Sequence, residues 1–478
     1  MSDSSTSTDL ASSLRALLTG LAPGDRLPSS RELTRRYRVG PGTVSRAIAT
    51  LAAEGAVVTR PGSGTFVALR RERPADGVPD TSWQSVALSG RDFDPGVAVE
   101  PPRPLPEGMI AMAGGYPHET LQPTRALGAA LARAARRPDA WHRAPTAGLA
   151  PLRAIFARQA GGAVTAEDVL VTGGAQGALS MLFRAIAAPG GAVLMESPTY
   201  PGALAAARAA GLRPVPVPMD GDGIRPGLLA DAFAMTGARV LYCQPTFHNP
   251  TGTVLAPERR GQVAEVARAA GAFLIEDDFA RHLGHGGPLP PPLVADDRDG
   301  TVIHLTSLTK PAAPSLRIGA VIARGPVLRR LAGMRFVDDF FTARPLQEAA
   351  IELLSTPAWD RHLRALGAAL RERRTLLAGA LASRVPGWRL TRSPAGGLHL
   401  WVELPPGADD AAFAAAAREH GVAVDAGRRF FPAEPSGAYL RLSFAAAADT
   451  ADLAEGAHRL AAVARGEVRV RAETFSPR

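Results

Sequence analysis

Between Glu107 and about residue 340 the chain repeats one alternation: a short apolar run, then polar or Gly/Pro residues, then an Ala-rich stretch with helical spacing. The runs fall at residues 169–171, 192–195, 240–242, 273–275 and 302–305. Strand-like runs alternating with helical ones read as βα units, which pair into a mostly parallel sheet flanked by helices. The pattern therefore predicts an α/β domain over 107–478 whose large part is about 107–340. Residues 341–478 mix helical stretches with strands near 398–402 and 440–443, which predicts a smaller C-terminal α+β subdomain. With 46% apolar and 21% charged residues, a chain of 478 can bury a sizeable core. In open α/β sheets ligands sit beyond the carboxyl ends of the strands, so the residues just after each run are the first candidates for a site.

Residues 1–70 follow a different pattern. Helical spacing covers residues 10–18, and Pro23-Gly24-Asp25 supplies turn chemistry. Pro28-Ser29-Ser30 places a serine at the N-cap of a helix over 31–37. A break at Gly40-Pro41-Gly42 leads into a third helix over 43–54, with Val44, Ala47, Ile48 and Leu51 on one face and Gly55 as its stop. Two strand-like segments, 57–59 and 65–67, flank a turn at Pro61-Gly62-Ser63-Gly64. Three helices and a hairpin predict a winged helix-turn-helix. Residues 71–106 are rich in Pro, Gly, Asp and Arg with little periodicity and read as a linker.

The formal net charge of +9 favours a polyanionic partner, although an Arg-rich composition produces the same sum. One detail is sharper. Of 54 basic residues, Lys310 is the only lysine. Arginine replaces lysine as a surface charge but not as a nucleophilic amine that forms an imine. Cys243 stands alone, which excludes an internal disulfide framework and fits a reducing compartment. No signal-like N-terminus and no run near the ~20 apolar residues of a membrane span is evident, so a cytoplasmic protein without a membrane partner is expected. No cluster reads as a metal site.

Several residues behind the strands form a chemical set. Lys310 lies in Ser307-Leu308-Thr309-Lys310, and Arg317 follows; the hydroxyls of Ser307 and Thr309 with that guanidinium suit a phosphate. Gly174, Ala175 and Gln176 stand between a strand and a helix, where free N–H groups suit a phosphate, though glycine turns at such junctions are common. Asp277 and Asp278 follow a strand; they fit either a carboxylate facing a ring nitrogen or a helix N-cap. Tyr200 suits stacking on a ring or plain packing, and Asn249, in His248-Asn249-Pro250-Thr251-Gly252, offers an amide.

Two resemblances organise these observations. The segment from Pro23 to Leu33, the stretch Thr43-Val44-Ser45-Arg46-Ala47-Ile48 and Gly62-Ser63-Gly64-Thr65-Phe66-Val67 resemble GntR-family DNA-binding domains. This implies double-stranded operator DNA as partner. Arg31 and Arg35 would serve on the second helix, Thr43, Ser45 and Arg46 on the recognition helix, and Gly64 at the wing. Gly40-Pro41-Gly42 departs from the polar residues usual where that helix begins. From about Gly114 to Ala445 the chain resembles fold-type I, aspartate-aminotransferase-like enzymes through Asn249-Pro250-Thr251-Gly252, Glu276-Asp277-Asp278, Ser307-x-x-Lys310 with Arg317-x-Gly319, and Arg441 in Tyr439-Leu440-Arg441-Leu442-Ser443. The resemblance implies pyridoxal 5'-phosphate as cofactor. Lys310 and Asp277 would be the catalytic pair, the former bonded to the aldehyde and the latter paired with the pyridine nitrogen. Asn249 would contact the phenolic oxygen, Tyr200 would stack, and Arg441 would clamp an effector carboxylate.

The two parts together resemble the MocR subfamily of bacterial regulators. That implies a head-to-tail homodimer and a transcriptional regulator that senses an amino compound, or the cofactor itself, through an imine at Lys310. The alternative is a competent class I/II aminotransferase with an accessory DNA-binding domain. Phe279, where the family usually has tyrosine, and Trp141-His142-Arg143, where a tyrosine often reaches the neighbouring subunit, depart from the pattern.

Overall fold

The computed structural model describes residues 3–60, 62–68, 81–88 and 105–467. The chain divides into two compact units, Met1–Gly90 and Arg91–Arg478.

The first unit holds helices α1 (Asp3–Leu18), α2 (Ser30–Tyr37) and α3 (Pro41–Ala53), then a hairpin of β1 (Val57–Arg60) and β2 (Gly64–Val67). Ser29 caps α2 in a reciprocal box: the Glu32 N–H donates to Ser29 Oγ, and the Ser29 N–H donates to Glu32 Oε2 at 2.7 Å. Helix α3 starts two residues earlier than expected, because Pro41 occupies its first turn, where a missing N–H costs nothing. Leu10, Leu14, Leu33, Val44, Leu51 and Val57 form the core. Most of the stretch read as linker lies outside the described residues. Its described part includes a short helix, α4 (Ser82–Leu88), over seven residues free of Gly and Pro.

In the second unit, eight strands form one sheet. In chain order after β3 (Ile110–Ala111) they are β4 (Val169–Thr172), β5 (Ala192–Ser197), β6 (Arg213–Asp220), β7 (Gly223–Ile224), β8 (Val240–Cys243), β9 (Phe273–Asp277), β10 (Val302–Ser307) and β11 (Gly319–Ile322). Their order across the sheet is β4-β11-β10-β9-β8-β5-β6-β7. The five central strands are mutually parallel, and β11 runs antiparallel between β10 and β4. Near-continuous burial of β4, β8 and β10 is what a sheet covered on both faces requires.

The smaller subdomain is an antiparallel sheet, β12-β13-β16-β15, made of β12 (Arg389–Leu390), β13 (His399–Glu403), β15 (Asp425–Ala426) and β16 (Tyr439–Ser443). Between β13 and β15, β14 (Val422–Ala423) pairs in parallel with β3, so residues 110–111 join the small subdomain rather than the large sheet. The helix Arg344–Leu354 sends Ala350 and Leu353 into the core beneath β4 and β8. Together these parts make the expected α/β domain with a smaller C-terminal α+β subdomain.

Candidate functional site

The carboxyl ends of β9 and β10, and the loops that follow β4, β5 and β8, surround a cavity of about 770 Å³. Every residue expected here except Gly174 contributes to its wall: Ala175, Gln176, Tyr200, Asn249, Asp277, Ser307, Thr309, Lys310, Arg317 and Arg441. Gly174 stands directly behind that wall. It caps the helix Ala175–Ile186 with φ +95°, and a Cβ there would meet Arg317 Nη2 at 2.7 Å.

The strand pleat separates the three adjacent acids. Asp277 faces the cavity. Its Oδ2 accepts from Tyr242 Oη at 2.6 Å and Gln244 Nε2 at 3.0 Å, while its buried Oδ1 meets no hydrogen-bond partner of normal geometry among the described residues. Burial pushes this carboxyl above its ordinary range, and Tyr242 and Gln244 oppose the shift. Glu276 points elsewhere, accepting from His304 Nδ1 at 2.9 Å and from the Leu293 N–H at 2.8 Å. Asp278 pairs with Arg281. Glu276, Asp278 and His304 bring ligand-type atoms within 4.8 Å of one another, but Arg260 and Arg281 lie against them and the group reads as an ion-pair network.

Lys310 ends the loop after β10. Its Nζ lies 3.5 Å from the centroid of the Tyr116 ring and makes no hydrogen bond among the described residues. Burial first, then the nearby Arg441, hold the ammonium down to about 7, with Asp277 opposing. Ser307 Oγ donates to Thr309 Oγ1 at 2.9 Å, and Arg317 Nη1 donates to Thr309 Oγ1 at 3.4 Å, so hydroxyls and guanidinium converge on one corner. Tyr200 donates through its hydroxyl to Gln176 Oε1 at 3.0 Å; burial pushes its phenol up to about 12.

Arg441 lines the cavity with its guanidinium already paired. Its Nε and Nη2 both donate to Asp425 Oδ2, at 3.2 and 2.5 Å, and its Nη1 donates to Asn249 Oδ1 at 2.9 Å. That last bond turns the Asn249 NH2 away from Arg441. Asp425, Tyr116, Gln244 and His399 were not singled out by sequence reasoning. His399 Nε2 donates to the Gly114 carbonyl at 2.9 Å, and burial holds the imidazole well below its usual range, so it is neutral. Phe279 lines the cavity, and Trp141 is among the most exposed large side chains, 79% accessible. Cys243 is buried in the core.

In the first unit, Arg31 and Arg35 are exposed on α2, and Ser45 and Arg46 are exposed on α3. Thr43 is not: at 7% exposure it faces the core beside Val44, which leaves Pro41, Gly42, Ser45 and Arg46 as the accessible start of α3. Gly64 opens β2 rather than tipping the wing, with its Cα against the Arg26 guanidinium.

Residues 112–460 match the aminotransferase class I and II family, and residues 6–67 match the gntR family of bacterial regulatory proteins. An HTH-type transcriptional regulator of Escherichia coli is 30% identical over 88% of this chain and 91% of its own length. The chain belongs to the MocR-type transcriptional regulators. Another similar protein is the HTH-type pyridoxine biosynthesis transcriptional regulator PdxR of Corynebacterium glutamicum, 31% identical over 82% of each chain. The crystal structure of LysN, the α-aminoadipate aminotransferase of Thermus thermophilus, was determined with N-(5'-phosphopyridoxyl)-L-leucine. It superposes with a TM-score of 0.73 at 31% identity, covering 80% of this chain and 98% of that one. A MocR-type regulator thus joins a DNA-binding head to a fold that typically binds pyridoxal phosphate. Among the described residues, no helix is long and apolar enough to cross a membrane.

Proposed function

We propose that this regulator binds pyridoxal 5'-phosphate in the cavity at Lys310 and responds there to an amino compound. The observation that supports the reading best is the conjunction at the strand ends. A lysine and a buried carboxylate oxygen that have no hydrogen-bond partner among the described residues, and a corner of two hydroxyls and a guanidinium, line the same space. Each lacks something the cofactor supplies. The bound cofactor contributes an electrophilic carbon and an electron-accepting ring.

On this reading Asp277 Oδ1 would accept a hydrogen bond from the protonated ring nitrogen and keep it protonated, while Tyr242 and Gln244 hold Oδ2. Ser307, Thr309, Arg317 and the first-turn N–H groups at Ala175 and Gln176 hold the phosphate. Tyr200 walls the ring, and the Asn249 amide offers a donor to the phenolic oxygen. The low ammonium pKa of Lys310 leaves much of it as free amine near neutral pH, the form that bonds to the aldehyde. In the head, Arg31 and Arg35 contact phosphates, and Ser45 with Arg46 reach base edges. The protein acts in the cytoplasm as a homodimer.

Purified protein incubated with pyridoxal phosphate is expected to show a visible absorption band, and borohydride is expected to fix the label on the peptide containing Lys310. A colourless wild type, or a Lys310→Ala variant with the same band and label, contradicts the assignment.

A further inference from the structure

The partner of Arg441 bears on which amino compound this site accepts. Asp425 and Arg441 are cross-strand neighbours in the β15–β16 register, so the pair is built into the sheet. Both side chains are buried, 8% and 7% exposed. Asp425 Oδ2 receives Nε and Nη2 of Arg441 and also the Gly114 N–H at 2.9 Å, and Oδ1 receives Arg429 Nη1 at 3.2 Å. One edge that can hold a carboxylate bidentately, Nε–Nη2, is therefore taken, and Nη1 is bonded to Asn249 Oδ1.

The place matters as much as the pairing. The segment Gly114–Tyr116 donates its first N–H to Asp425, and a Cβ on its second residue would stand 3.6 Å from Lys310 Nζ. An amine bonded where Lys310 bonds has its neighbouring carbon beside this segment. A carboxylate on that carbon would turn toward Arg441 and find Asp425 there. Arg429, the second cation on Asp425, is 38% exposed and screened by solvent, so it adds little to hold a second carboxylate.

We infer that Asp425 is a specificity-determining residue: by occupying Arg441 it turns the site toward primary amines that carry no carboxylate on the amine-bearing carbon. The inference rests on the proposed cofactor reading and narrows its effector class. The chemistry balances without a co-reactant. The ligand nitrogen takes over the double bond to the aldehyde carbon as the Lys310 nitrogen leaves it, and two hydrogens pass from the ligand amine to Lys310.

The test uses full-length protein loaded with pyridoxal phosphate and a matched pair of ligands, L-leucine and isoamylamine, which differ only in the carboxylate. Change of the visible band is titrated against free-amine concentration. Wild type is expected to respond to isoamylamine at concentrations about tenfold or more below those of L-leucine, as two like charges in a partly buried site require. Asp425→Asn, which keeps the shape, and Asp425→Ala are expected to lower the L-leucine half-saturation by about tenfold and erase the preference. A wild type that responds to L-leucine as readily as to isoamylamine overturns the inference, even if neither variant folds. A preference unchanged in both variants also overturns it. A wild type with no visible band overturns the cofactor reading and this inference with it.

Discussion

The guanidinium of Arg317 packs against the α-carbon of Gly174, so close that a Cβ would stand 2.7 Å from Nη2. Arg317 is itself held in the left-handed region, φ +49°, and reaches Thr309 from there. Gly174→Ala is thus expected to act twice. It displaces Arg317 from the Ser307–Thr309 corner, and it strains a backbone at φ +95°, a cost of about 1–3 kcal/mol. Cofactor affinity measured by absorbance titration should weaken about tenfold or more, since a charge-assisted contact is lost. Unchanged cofactor affinity in Gly174→Ala would place the phosphate elsewhere.

Lys310 gives a prediction with a sign. Burial and Arg441 lower its ammonium to about 7, so the reactive neutral amine predominates above that pH and the protonated form below it. In cofactor-free protein, the rate of pyridoxal phosphate capture should rise with pH through about 7 and then level off. A rate that keeps climbing toward the range of an ordinary lysine would show that the amine is not buried as described.

Phe279 lines the cavity without a hydroxyl to donate. In Phe279→Tyr a phenol beside the cofactor's oxygen would stabilise the anionic form left after proton loss, so the pH transition of the visible band is expected to move lower. Spectral titration of both proteins checks this. A transition that stays in place, or moves higher, means residue 279 does not address that oxygen.

Much of this arrangement was legible in the sequence. Parallel strands announce themselves as fully apolar runs, and Lys310 stood out because every other basic residue is arginine. Arg441 was visible as a residue, but not its partner. Asp425 follows the short β14 with no local signal, and only the antiparallel register of β15 with β16 brings the two together. Gln244 and Tyr242 were hidden for a similar reason: each reads as part of a core strand or its end, and only the next strand places Asp277 within reach. Thr43 is buried because it stands one turn before Ala47, on the same inward face of α3.

The head separates into testable roles. Arg35 is exposed on α2, and its loss should weaken specific and random DNA alike while reducing the salt slope of log K by ~0.9, the value for one phosphate contact. Arg46→Ala and Ser45→Ala should instead change sequence choice. Thr43→Val, at a buried position, is expected to leave sequence choice intact. Gel-shift competition at several salt concentrations distinguishes these patterns, and full binding by the combined Arg31→Ala, Arg35→Ala and Arg46→Ala variant would deny the head its DNA contacts.

The decisive measurement joins the two units through function: affinity of wild type and Lys310→Ala for the DNA flanking the regulator's own gene, with and without pyridoxal phosphate. Couplings between sites run at about 1–3 kcal/mol, a change of roughly fivefold or more in affinity. Wild type is expected to shift by at least that much when the cofactor is added, and Lys310→Ala to show no shift. Equal DNA affinity of wild type with and without the cofactor, in protein that carries the visible band, would contradict regulation through Lys310.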